Sequence, residues 1–199
     1  MNKRLSFFAI AAFLIFCLFM LTYDTQFIAV VDQAAFDLLY GNETIAIFQS
    51  LGATKVIIAV TFVLAIFAWF RFRKIQLVLF ILVTVGLGYY LNQILKQIIE
   101  RPRPEFLNQF TSFSFPSGHA MVGLLYLFTI AYVLGKTVSS IKVRSILWII
   151  AAILILFIGL SRIAEGHHYA SDIFAGWMLG CSWFTLCVKL YEISFKRNT

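Results

Sequence analysis

Long apolar runs separated by short polar breaks set the pattern of this chain. A membrane-spanning helix needs roughly 20 mostly apolar residues, and six runs qualify: residues 5–22, 54–70, 75–98, 118–135, 145–162 and 173–191. Another segment, "TQFIAVVDQAAFDLLYG", is shorter and patterned differently. It puts Phe27, Ile28, Val31, Ala35, Phe36 and Leu39 at helical spacing, with Asp32, Gln33 and Asp37 on the other side. That pattern predicts a short amphipathic helix at the membrane interface, with an ordinary connector packed on the bundle as the plainer alternative. The expected fold is all-α: an integral membrane bundle of six transmembrane helices with a short interfacial amphipathic helix.

The first run begins with Lys3 and Arg4 and so has the outline of a secretory leader. No small-x-small cleavage site follows, since the run ends "FMLTYDTQ", and Phe16 rather than a small residue precedes Cys17. It reads as an uncleaved first membrane helix. With no internal repeat, low-complexity tract or linker in sight, residues 1–199 are expected to form a single domain.

Composition strengthens the membrane reading. Of the 199 residues 61% are apolar or aromatic and only 13% are charged, far from a soluble balance. A formal charge of +7 can signal nucleic acid, but these charges sit between apolar runs rather than along a solvated stripe, so no nucleic-acid partner is expected. Cys17, Cys181 and Cys187 lie inside apolar runs without metal-ligand spacing and read as core or lipid-facing residues.

Charge placement gives a topology. Lys3 and Arg4, then Arg71, Arg73 and Lys74, then Lys136, Lys142 and Arg144, then Lys196 and Arg197 fall in alternate connections on one side. Basic flanks mark the cytoplasm, so both termini are expected there. The opposite loops, 23–53, 99–117 and 163–172, carry Asp24, Asp32, Asp37, Glu43, Glu100, Glu105, Glu165 and Asp172. On that side Lys96, Arg101, Arg103 and Arg162 run against the rule, and an anion is the simplest reason for them.

Three polar stations face that side. In "KQIIERPRPE", Pro102 should end the third span, leaving Lys96 on its last turns and Arg103 just beyond. A charge at mid-membrane costs roughly 2.5–3.5 kcal/mol on insertion scales, less at a helix end, so such cations can also be plain snorkelling anchors. In "FPSGHA", Pro116 breaks the chain, Ser117 is a good N-cap, Gly118 admits close approach, and His119 sits in the first turn of the next span. A helix N-terminus attracts anions, although the same residues could form a simple cap. In "SRIAEGHHYASD", Arg162 ends the fifth span, Gly166 breaks it, and His168 stands four residues before Asp172, a helical spacing that lets the carboxylate hold the imidazole. His167 with Ser171 is a competing register without a carboxylate. Lysine, arginines, a helix N-terminus and histidines on one side together point to a phosphate site. Zinc on His119, His167, His168 and Asp172 is the rival, disfavoured because clustered cations repel a metal.

The order Lys96-x6-Arg103-Pro104, Pro116-Ser117-Gly118-His119 and Ser161-Arg162-x5-His168-x3-Asp172 resembles the three-part signature of the type 2 phosphatidic acid phosphatase superfamily, the lipid phosphate phosphatases. The motifs span residues 96–104, 116–119 and 161–172. The family's spacing selects Arg103 over Arg101 and His168 over His167, leaving Arg101 and Glu100 as supporting or loop residues. The resemblance implies hydrolysis without metal or other cofactor. His168, held by Asp172, would be the nucleophile, and His119 the acid and then the base. Lys96, Arg103, Arg162 and the backbone around Ser117 and Gly118 would hold phosphate oxygens. The expected substrate is a membrane lipid phosphate met on the extracytoplasmic face: phosphatidylglycerophosphate first, undecaprenyl diphosphate as the alternative. A non-enzymatic anion-binding or transport protein is the reading from another class; it leaves the His168/Asp172 spacing unexplained. Vanadate-dependent oxidation, which shares the family's pocket, fits six apolar spans poorly.

Overall fold

The computed structural model describes residues 3–104 and 112–196. In chain order they form α1 (Lys3–Thr22), α2 (Gln26–Leu39), a short α3 (Glu43–Ala46) running into a 3-10 turn (Ile47–Gly52), α4 (Thr54–Phe72), α5 (Ile75–Ile99), α6 (Gly118–Gly135), α7 (Ile141–Ala164) and α8 (Ala170–Lys196). Among the described residues, six helices are long and apolar enough to cross a membrane: α1, α4, α5, α6, α7 and α8. The fold is thus the all-α bundle expected. Of the flanking charges used for topology, Glu105 and Arg197 lie outside the described residues.

Helix α6 occupies the centre. Its spanning window is 67% buried, against 11% for α1, because it packs on α4, α5, α7 and α8, whereas α1 leans mainly on α8. Lipid offers no hydrophobic drive for helix pairing, so close approach depends on small residues. Gly176 and Gly180 supply it on α8. A Cβ at Gly176 would stand 2.8 Å from the Ser117 carbonyl oxygen, and one at Gly180 3.2 Å from that of Met121. Backbone-to-backbone contact follows: the Ser117 N–H donates to the Asp172 carbonyl at 3.0 Å, which locks the start of α6 to the start of α8.

Helices α7 and α8 both start before their predicted limits. Ser140 caps α7 by accepting from the Val143 N–H, adding a turn before residue 145, and α8 starts at Ala170 rather than 173. Helix α5 widens into a π segment at Val83–Leu87. There the Thr84 carbonyl accepts from the Trp183 indole at 3.0 Å.

Helix α2 is the short helix expected, with its faces assigned differently. Ile28 and Asp32 are its buried residues, and Ala35 and Leu39 pack on a cluster containing Ile163, Ala170 and Ile173. Phe27 and Leu38 are instead 75% and 79% exposed. Asp32 therefore points into the bundle, against the amphipathic reading, because it meets a buried arginine there.

Candidate active site

The three stations converge on one cavity of about 500 Å³, lined by Lys96, Arg103, Gly118, His119, Arg162 and His168 among others. Ser117 and Asp172 stand directly behind it, both fully buried. All eight residues singled out in the sequence are thereby brought together.

Station one reaches station two through Lys96. The residue is 5% exposed, and its ammonium donates to the carbonyls of Phe113 and Ser114, the latter at 3.0 Å. One turn earlier on the same face, Asn92 donates from Nδ2 to the Pro116 carbonyl at 3.2 Å. Its buried Oδ1 has no partner among the described residues. The pair fixes the strap that delivers Ser117. That hydroxyl caps α6 by accepting from the Ala120 N–H at 3.4 Å, as its N-cap chemistry predicts.

His119 extends from the first turn of α6, and its room depends on a glycine 67 positions earlier. A Cβ on Gly52 would come 2.5 Å from His119 Cδ2 and 2.9 Å from an Ile158 methyl. Any side chain at position 52 would thus push the imidazole out of place.

Arg103 spans stations one and three. It donates from Nε to the Ser112 carbonyl at 2.7 Å and from a terminal nitrogen to the His167 carbonyl at 2.7 Å. The same terminal nitrogen lies 3.3 Å from His168 Nε2. A guanidinium only donates, so this contact favours the tautomer with Nε2 unprotonated. In that tautomer the proton is on Nδ1, which faces Asp172 Oδ2 at 3.2 Å. His168 lies in the turn before α8 rather than on a regular helix. Gly166, with φ at 67°, supplies the left-handed step that ends α7's exit. Burial first, then the cations Lys96, Arg103 and Arg162, holds His168 well below the usual histidine range.

Arg162 donates to Gln49 Oε1 at 3.0 Å and to Glu165, while its buried Nε has no partner among the described residues. Glu165 also meets His167 Nδ1 at 3.1 Å. His167 therefore has a carboxylate after all, at position −2 rather than +4. Burial, with Arg162 and Arg103 nearby, still lowers it to about 4.

The sum is an electropositive hollow. Lys55, Lys96, Arg103 and Arg162 line it, and no carboxylate does among the described residues. Nor do any three His, Cys, Asp or Glu side chains gather among those residues in a way that could hold a metal ion. An oxyanion suits such a wall, and His168 lines it.

Sequence reading did not single out Asn92, Gln49 or Gly52, and it set Arg101 aside. Asn92 carried a usable signal, a polar residue inside an apolar span four positions before Lys96. Gln49 and Gly52 carried none. Arg101 is 7% exposed and bonded to Asp172.

Known proteins resemble this arrangement. The PAP2 superfamily profile matches residues 77–196, which include all three stations. Phosphatidylglycerophosphatase B of Bacillus subtilis (strain 168) is 35% identical over 159 residues, 78% of this chain and 77% of that one. An undecaprenyl-diphosphatase of Sulfolobus acidocaldarius is 32% identical over 152 residues, covering 72% and 67%. The crystal structure of a transmembrane PAP2-type phosphatidylglycerolphosphate phosphatase from Bacillus subtilis superposes with a TM-score of 0.85 at 29% identity, covering 93% of this chain and 96% of that one. Six apolar helices, an anion-attracting hollow with a poised histidine, and these matches lead to one assignment: the chain belongs to the PAP2 superfamily, as a membrane lipid phosphatase.

Proposed function

We propose that the chain removes phosphate from a lipid phosphomonoester or diphosphate through a phosphohistidine on His168, without a metal ion. The observation that carries this reading is the carboxylate-free wall of Lys96, Arg103 and Arg162, with His168 Nε2 3.3 Å from a terminal nitrogen of Arg103. Nε2 attacks phosphorus and forms a P–N bond, while the P–O bond to the lipid breaks. His119 gives its proton to the departing oxygen. A water then gives a proton back to His119 and attacks phosphorus, and the P–N electron pair returns to His168 as inorganic phosphate leaves. Through both steps the three cations and the Gly118 end of α6 hold the non-bridging oxygens. Asp172 keeps the Nδ1 proton in place and stabilises the ring as it becomes cationic.

An apolar groove of about 320 Å³ supports a lipid substrate. It lies between α4 and α5, lined by Ile58, Phe62, Leu82 and Gly86, and shares Thr54, Ile57, Tyr89 and Val122 with the polar cavity. A headgroup in the cavity would leave its chains in that groove, beside the π segment of α5. Phosphatidylglycerophosphate is the leading substrate, on the strength of the Bacillus relative. Undecaprenyl diphosphate is the second reading, supported by the Sulfolobus relative. Phosphate release by the purified protein in detergent is expected to persist in excess EDTA and to be faster with phosphatidylglycerophosphate. Release abolished by the chelator would overturn the metal-free mechanism, and a faster diphosphate reaction would reverse the choice of lipid.

Positive-flank counting supports both termini in the cytoplasm and an extracytoplasmic cavity, in a chain read as a single domain. A reporter inserted between residues 105 and 111 should give an extracytoplasmic signal. A cytoplasmic signal there would invert the assignment.

A further inference from the structure

Arg101 falls on a position that the first motif leaves unspecified, yet it is buried and makes four hydrogen bonds. Glu100, in a left-handed conformation at φ 53°, closes α5 and turns Arg101 inward. One terminal nitrogen donates to Asp172 Oδ1 at 2.7 Å and to the Ser171 hydroxyl at 2.7 Å. The other donates to Asp32 Oδ2 at 2.9 Å. Tyr169 and Tyr23 flank the guanidinium, with ring centroids at 4.1 and 4.9 Å. Asp32 completes the frame by accepting from the Ser171 N–H at 2.8 Å and the Ser171 hydroxyl at 2.7 Å.

The carboxylate of Asp172 thus has both oxygens assigned. Oδ2 takes the Tyr169 N–H and faces His168, and Oδ1 is held by Arg101. Without Oδ1's partner, the carboxylate could rotate about its own bond and the imidazole would lose its reference. A fork held between two rings and two carboxylates fixes a plane as well as a charge. Stability alone does not account for the arrangement, since a buried ion cluster rarely outperforms well-packed apolar residues. Neither Arg101 nor Asp32 lines the cavity that contains Lys96 and His119.

We propose that Arg101 and Asp32 form a positioning relay that holds Asp172, and through it the His168 ring, in the orientation used for attack. The relay makes the interfacial helix α2 part of the catalytic unit, because Asp32 is its contribution. The inference rests on His168 being the nucleophile.

The test compares the full-length protein with Arg101→Gln, Arg101→Lys, Asp32→Asn, the Arg101→Gln/Asp32→Asn pair and His168→Ala, purified in one detergent. It reads kcat and KM on a lipid phosphomonoester, with thermal unfolding as the check on folding. Misplacement of the reacting ring predicts a kcat loss of about 10²-fold in Arg101→Gln and Asp32→Asn, with KM little changed. The pair should lose no more than the worse single change, because the two side chains act as one unit. Arg101→Lys keeps the charge in a folded protein, lacks the fork and should remain slow. A purely structural ion cluster would lower the unfolding temperature and leave the kcat of the folded protein intact, which overturns the relay. So would full rescue by lysine, or losses that multiply in the pair. If release survives His168→Ala, the nucleophile reading fails and the relay falls with it. If release is lost there while Arg101→Gln and Asp32→Asn keep wild-type kcat, only the relay fails.

Discussion

His168→Ala is expected to lower phosphate release by on the order of 10⁴-fold or more, as loss of a nucleophile does in covalent catalysis. Substrate affinity should change far less. Lys96, Arg103 and Arg162 remain in the cavity wall to hold the phosphate, so the variant should still bind product-like oxyanions competitively. Rapid acid-free quenching of the wild type with labelled substrate should trap label on the protein in a linkage stable to base and labile to acid, and none in the variant. The nucleophile must be neutral to attack. Because burial and the surrounding cations hold His168 well below the usual histidine range, it is deprotonated throughout the neutral region. The limb of kcat/KM that reports it therefore lies below ordinary histidine titration, with activity lost only as pH falls through that depressed value. Label retained on the protein in His168→Ala would move the covalent step to another residue.

The parts of this protein legible in the sequence are those written locally. Spans of about 20 apolar residues announce themselves, and each station keeps its residues within a dozen positions, so Lys96 with Arg103 and His168 with Asp172 could be paired before any fold was known. What could not be read was decided by distant neighbours. Arg101 and Arg103 look alike in "ERPRPE". One turns to Asp32, 69 positions away, and the other to His168, 65 positions away. The hydrophobic pattern of α2 assigned Asp32 to water, because a pattern weighs polarity and cannot see a buried guanidinium waiting across the interface. Gly52 carries no signal at all until α6 places an imidazole against it. His167 was set aside for lacking a carboxylate at helical spacing, but the turn around Gly166 brings Glu165 to it from the other direction.

His119→Ala should separate the two halves of the reaction. On a lipid substrate the departing oxygen is a poor leaving group, so loss of the proton donor should slow the first step by about 10²–10⁴-fold, the usual range for general acid catalysis. An aryl phosphate needs little protonation. With it the variant should still phosphorylate His168 quickly and then stall, because the same imidazole is needed to activate water. The expected signature is a burst of aryl alcohol equal to the enzyme present, followed by slow turnover, with phosphoprotein accumulating to a level the wild type never reaches. The geometry makes this a fair comparison. His119 stands on α6 and His168 before α8, joined through the fixed contact of the Ser117 N–H with the Asp172 carbonyl, so trimming one ring leaves the other's support intact. Equal slowing of aryl and lipid substrates, with no burst, would mean that His119 shapes the cavity and transfers no proton. Turnover close to wild type on both would remove it from the mechanism.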